Sequence, residues 1–340
     1  GALSPSSRTA SWLSHWPIKP DVVFEGGNWQ VNDAPPPLAH SALSLLTTDH
    51  QYPLRAFTTS AETSAATALA ARAITELWSD YPHLWPETVR ALFVSSARWT
   101  QQMSSHLPAN PVKGDYGRLF QRYGYGVPDM ERARRSASNA LTLIIEDTIT
   151  PYRKSAKASS EHIHNEMKLF ELPWPVQELR KLTNTLVTLR VALSTFIEPN
   201  PSEPARGSKF RYASHNLRFK LNRPNEDKKT FVARISKTAD LSEEAGIEED
   251  DGWVFGRNRR DVGSIQIDEL TCFASDLARR NIIAIHPIAG WWKTKTVADP
   301  EQRSARFALI VEIDAGTTET DLYAEVQAAI ENLGAITTSV

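Results

Sequence analysis

The chain has one cysteine, Cys272, in 340 residues. A lone thiol closes no internal disulfide, which removes the small secreted scaffolds stapled by cystine bridges and favours a reducing, cytoplasmic setting. Its place in the mixed stretch Leu270-Thr-Cys-Phe-Ala gives it the character of a small buried hydrophobe rather than a reactive thiol. An excess of either charge is also missing. Lys+Arg 38 against Asp+Glu 40 leave a formal net charge of -2, so no general field recruits nucleic acid or an anionic membrane. The small basic cluster Arg257, Arg259 and Arg260 has no interleaved aromatics and does not change that expectation. No segment approaches the roughly 18 uninterrupted apolar residues that span a bilayer. The first residues, GALSPSSRTASW, lack the charged start and apolar stretch of a secretion signal. Metal-ligand patterns are scarce too. His162 and His164 share a strand face without a third ligand of clear spacing, and Glu248-Glu-Asp-Asp251 lacks the alternating oxygen ligands of a calcium loop. No metal and no organic cofactor is expected.

What is present is a globular composition, 41% hydrophobic and 23% charged, on a chain long enough for two domains. Its character changes between Asn139 and Ile149, which divides it into 1–140 and 141–340. In the first part, TSAATALAARAITELWS at 63–79 is alanine-rich and free of Gly and Pro, which predicts a helix whose first turns are buried. A second helix follows Pro86, with Val89, Leu92, Phe93 and Ser96 on one face. A loop to about Tyr116, the glycine-spaced Tyr123-Gly-Tyr-Gly-Val-Pro128 and a short helix from Asp129 to Ser136 complete this half. The second part reads as strands at 141–149, 167–172, 185–197, 217–221, 263–267, 282–288 and 306–313. Thr185 to Phe196 alternates most clearly, with Val187, Leu189, Val191 and Leu193 on one side. These strands predict an antiparallel sandwich, with the acidic stretch Glu243 to Asp251 in a loop.

Thr63-Ser64-Ala65-Ala66 places a serine in the first turn of the alanine-rich helix. On spacing alone such a serine is an N-cap. The same position also suits a nucleophile, because free backbone N–H groups and the helix dipole stabilise the oxyanion formed on attack.

Five segments in order carry a resemblance to subtilisin-like serine proteases. Lys19-Pro-Asp-Val-Val23 and Glu25-Gly-Gly27 resemble the family's K-P-D-V strand and glycine turn, and Thr63-Ser64-Ala65-Ala66 its G-T-S-x-A nucleophile segment. Leu84-Trp-Pro-Glu-Thr-Val-Arg-Ala-Leu-Phe93 resembles the helix where the family's chain returns, and Gly124-Tyr-Gly-Val-Pro-Asp129 its closing turn. The resemblance implies an α/β fold: the C-terminal part of a parallel-sheet, three-layer subtilase domain, followed by the β-sandwich. It implies Ser64 as the nucleophile of an endopeptidase acting on protein or peptide substrates. The chain departs from the family at Glu62, where a glycine is usual. It departs further in its histidines and aspartates: His15, His40 and His50 are not followed by glycine, and Asp21, Asp33 and Asp49 do not open D-[ST]-G. Asn28 and Asn32 are poor candidates for the oxyanion asparagine. The activating His and Asp are therefore expected upstream, in another part of the same protease, and the chain alone is expected to be inactive.

NEMKLFELPWPVQEL, VTLRVALSTFIEPNP and FRYASHNLRFKLNRP, with Asp250-Asp-Gly-Trp253 and Gly290-Trp-Trp-Lys293, resemble the C-terminal extension of large bacterial subtilases. Some of these are encoded beside an AAA-type ATPase and act in phage defence, so the resemblance implies an ATPase as a possible partner. Trp291 and Trp292 are read as packing residues. Two other readings stay open. One is an inert interaction module that docks substrate or the ATPase. The other is an esterase-like hydrolase drawing its base from His83 or His106.

Overall fold

The computed structural model describes residues 3–4, 6–7, 9, 19–30, 38–138, 142–156, 162–174, 176–200, 202, 212–240, 252–294, 300–314 and 335–339. They fall into two compact units. One takes in the described residues of Gly1–Ser14, Ile18–Leu84 and Phe93–Arg134, the other those of Trp85–Leu92 and Arg135–Val340. The predicted loop from Glu243 to Asp251 lies outside the described residues, as do Asn32, Asp33 and His15.

In the first unit, strands β1 (Trp29–Gln30) and β2 (Leu38–Ala39) form one antiparallel ribbon, and β3 (Leu45–Thr48) and β4 (Phe57–Ser60) another. Helix α1 (Glu62–Asp80) follows directly. Helix α2 (Pro86–Ser96), whose residues up to Leu92 belong to the second unit, buries the face predicted for it, Val89, Leu92, Phe93 and Ser96. A short helix, α3 (Gln101–Ser104), capped by Thr100, stands where a loop was expected, and α4 (Tyr116–Tyr123) follows that stretch. Leu119 and Tyr123, one turn apart on α4, pack with Met103 in a small core cluster against Val23 and Trp99. Helix α5 (Met130–Ser138) closes the predicted run.

One expectation is not met among the described residues and another is corrected. Among the described residues every strand pair is antiparallel, so the parallel sheet implied by the resemblance is not found among them. The first turn of α1 is not buried: Glu62, Thr63 and Ser64 are exposed, and only Ala65, Ala73 and Leu77 are buried along the helix. Alanine raises helix propensity without adding much apolar area, so an alanine-rich helix tolerates an open face at small cost.

The second unit holds two four-stranded antiparallel sheets. Its strands are β5 (Thr142–Ile149), β6 (Tyr152–Lys154), β7 (His162–His164), β8 (Glu166–Glu171), β9 (Leu186–Thr195), β10 (Asn216–Leu221), β11 (Ile265–Phe273), β12 (Ile282–Ile288), β13 (Ala305–Asp314) and β14 (Ala335–Ser339). One sheet runs β11-β9-β13-β5 and the other β10-β12-β8-β14. Alternation along β9 sends Val187, Leu189, Val191 and Leu193 into one core with Phe307 and Leu309 of β13. Leu217 and Phe219 of β10 and Ile283 and Ile285 of β12 enter the same core from the other sheet. Between Val176–Lys181 (α6) and the later strands lies α7 (Lys228–Asp240), whose Phe231 and Ile235 cover Met167, Leu169, Ile282 and Ala284. Cys272 is half-buried and packs against the core, and Trp292 is buried.

Candidate active site

Gly124 and Gly126 bring the motif segments of the first unit together. Both have positive φ, 55° and 103°, and a Cβ on Gly124 would stand 2.2 Å from the Pro20 carbonyl oxygen. The close approach lets Tyr125 N–H donate to Asp21 O at 2.8 Å and Val23 N–H donate to Gly126 O at 2.9 Å. The Asp21–Val23 segment is thereby fixed against the closing turn. It leads into Gly26, whose carbonyl accepts from Glu62 N–H at 2.5 Å, and a Cβ on Gly26 would stand 2.7 Å from Glu62 O. Gly27, with φ 76°, passes equally close to Leu43, and Asn28 N–H donates to Leu43 O at 2.7 Å.

The glycine turn thus seats the first turn of α1. Ala61 precedes the helix and supplies no side-chain cap. Among the described residues the N–H groups of Thr63 and Ser64 have no acceptor and the Ser64 hydroxyl has no hydrogen-bond partner. Ser64 is therefore an exposed hydroxyl on an uncapped helix N-terminus, where anionic oxygen is favoured. Glu62 holds φ 76°, a left-handed backbone for which glycine is the natural residue.

A cavity of about 500 Å³ opens beside this turn. Helix α1 lines it with Glu62, Thr63 and Ala66, and the glycine turn with Glu25 through Asn28. Met103 and Tyr123 reach it from α3 and α4, and Ser64 is not among its lining residues. Asn28 lines it as well, with its side-chain oxygen accepting from Trp29 N–H at 2.8 Å.

Residues 1–126 match the model of the subtilase family. The match covers the turn that carries Ser64 and supports a serine peptidase of this type at the level of the family. The chain is also similar to the uncharacterized protein y4bN of Sinorhizobium fredii, 27% identical over 224 residues. That similarity takes in 65% of this chain and 46% of the relative, so the chain spans about half the length of the curated relative it matches.

Among the described residues no histidine is hydrogen-bonded to Ser64. His106 stacks on Tyr123 with ring centroids 6.3 Å apart, and His83 stands edge-on to Tyr81 at 6.5 Å. Neither is hydrogen-bonded to Ser64. His40 instead caps a short turn by accepting from Ala42 N–H. Asp49 is buried and accepts from Gln51 N–H and from Arg55, and these partners hold its carboxyl below the usual range. Asp21 is ion-paired with Lys19 at 2.8 Å. His162 and His164 do share a buried face of β7, but His162 Nδ1 lies 2.9 Å from Trp292 O and His164 Nε2 lies 3.4 Å from Lys293 Nζ. No group of three metal-ligating side chains occurs among the described residues, and no described helix is long and apolar enough to cross a membrane. Ser64 and the glycine turn stand out in the sequence, whereas the cavity does not. Met103 and Tyr123 lie about 40 and 60 residues from Ser64 in sequence, and nothing in their local sequence marks them as lining a cavity beside the first turn of α1.

Proposed function

We propose that this chain carries the nucleophile-bearing part of a serine endopeptidase, with Ser64 as the nucleophile. The observation that carries the reading is an exposed, unpartnered serine on an uncapped helix N-terminus, seated by the glycine turns within the segment that matches the subtilase model. Ser64 Oγ attacks the scissile carbonyl carbon as a histidine base takes its proton, and the peptide C–N bond breaks as that proton passes to the leaving amine. Water then releases the acyl group from Ser64. The N–H of Ser64 itself helps hold the oxyanion, and the other donor of that hole comes from elsewhere in the protease.

The histidine and aspartate of this mechanism come from another part of the same protease, outside these 340 residues. The greater length of the Sinorhizobium fredii relative supports this. So does the open, alanine-rich face of α1, which suits cover by a further segment. The shared core of the two sheets in the second unit supports a sandwich domain. The test compares cleavage of a denatured protein by the longer polypeptide with cleavage by its Ser64→Ala form. The expected loss is about a thousandfold or more. Undiminished cleavage would remove Ser64 from the mechanism.

A further inference from the structure

Two carboxylates border the cavity beside the first turn of α1, Glu25 and Glu62. Neither side chain has an ion pair or a hydrogen bond among the described residues. Much of the remaining lining is apolar, with Val23 and Phe24 on one segment, Leu43 on another and Met103 and Tyr123 on the helices, while Ser4, Ser7, Asn28 and Thr100 add polar groups. A long side chain with a methylene stem and a cationic head fits such a lining, because its stem is covered by apolar wall while its charge meets the carboxylates at the margin. The helix N-terminus works against a cation, with an effective charge of about +0.5, yet two carboxylates outweigh it. An anionic side chain is opposed by both carboxylates.

Glu62 adds a separate indication. A glycine at φ 76° is unstrained, whereas a glutamate there is held in a costly conformation, and such residues concentrate where the side chain serves a site. The same residue stands two positions before Ser64, so the cavity adjoins the helix turn that carries the acylation site, although Ser64 itself does not line it.

We propose that this cavity is a substrate subsite that accepts a lysine or arginine side chain through Glu25 and Glu62. The assignment rests on the reading of Ser64 as the nucleophile, which makes the occupant part of a peptide substrate. The test is direct binding to the full chain, followed by amide chemical shifts, with N-acetyl-lysine amide and its uncharged counterpart N-acetyl-norleucine amide. The lysine compound is expected to shift the amides of Gly26, Gly27 and Thr63 and to bind roughly tenfold more tightly or better. A Glu25→Gln/Glu62→Gln chain is expected to lose that preference while still binding the norleucine compound. Equal binding of the two compounds, a preference that survives the double substitution, or shifts confined to other residues would overturn the subsite. The two readings fail separately. Lysine binding in the cavity without reaction of Ser64 toward a serine-directed phosphonate in the longer polypeptide that includes an upstream segment would leave a cation site and remove the peptidase. Reaction of Ser64 without a lysine preference would do the reverse.

Discussion

Glu62 is where a single residue carries the most local tension. Its left-handed backbone costs a non-glycine residue on the order of 1 kcal/mol, partly offset by a carboxylate in the first turn of a 19-residue helix. Glu62→Gly is therefore expected to raise stability by about 0.5–1 kcal/mol, read as a higher urea midpoint with an unchanged slope. A lower midpoint would mean that the carboxylate contributes more than the backbone strain removes. The glycine turns were legible at this scale because each glycine sits in a short motif with a reason for being there. At Gly124 the reason is a carbonyl that would lie 2.2 Å from any Cβ. The strain at Glu62 was legible only as a departure from the glycine usual at that place, since backbone angles follow from what the neighbouring segment demands.

Among the elements, α2 shows how a helix start is fixed from a distant strand. Glu146 of β5 accepts from Trp85 N–H at 2.6 Å and from the Thr88 hydroxyl, doing the work of a cap across 61 residues of sequence. Arg306 of β13 pairs with Glu87 at 2.8 Å and lies 4.3 Å over the Trp85 ring. Removing both acceptor contacts in Glu146→Ala is expected to cost about 1–2 kcal/mol, while Glu146→Gln, which keeps an acceptor oxygen, costs less; urea unfolding followed by tryptophan emission reads both. Equal midpoints for all three proteins would show that the helix start does not depend on this cap. Pro86 announced the helix in the sequence, but nothing near it announced Glu146. The strands were the most legible elements, because alternation such as that of Val187 to Leu193 reports directly which face is buried. Helix α7 was missed for the opposite reason. Only Phe231 and Ile235 anchor it, and their value depends on Met167 and Leu169 standing on the sheet face below. The alanine-rich α1 was legible as a helix and misread in its burial, since composition reports propensity and not what lies over a face.

Across the second unit, three buried histidines set the response to acid. Burial lowers His164 and His215 to about 4 and His286 to about 3, with nearby Lys293 acting on His164 and Lys220 on His286. His215 is held neutral between Thr195 and Ser214, and neither ring nitrogen of His286 has a partner among the described residues. An unfolded histidine titrates near 6.5, so the unfolded chain binds protons first as pH falls. The stability these groups contribute is complete above about 6.5 and is lost between there and about 4, on the order of 3 kcal/mol for each. Asp268, raised by burial to about 6 despite Arg260, acts in the opposite sense over part of that window. Three histidines outweigh one carboxyl, so the urea midpoint is expected to fall steadily from pH 7 to pH 4.5. A midpoint that holds constant across that range would contradict this burial pattern.

Ser64 is proposed as a nucleophile that needs groups from outside this chain. The most direct measurement is labelling with a fluorophosphonate probe, with the adduct mapped by mass spectrometry, on this chain, on a longer polypeptide that includes an upstream segment, and on its Ser64→Ala form. The account predicts an adduct on Ser64 in the longer polypeptide alone. Strong labelling of the isolated chain would place the activating base within these 340 residues, and no labelling of Ser64 in any form would contradict the assignment.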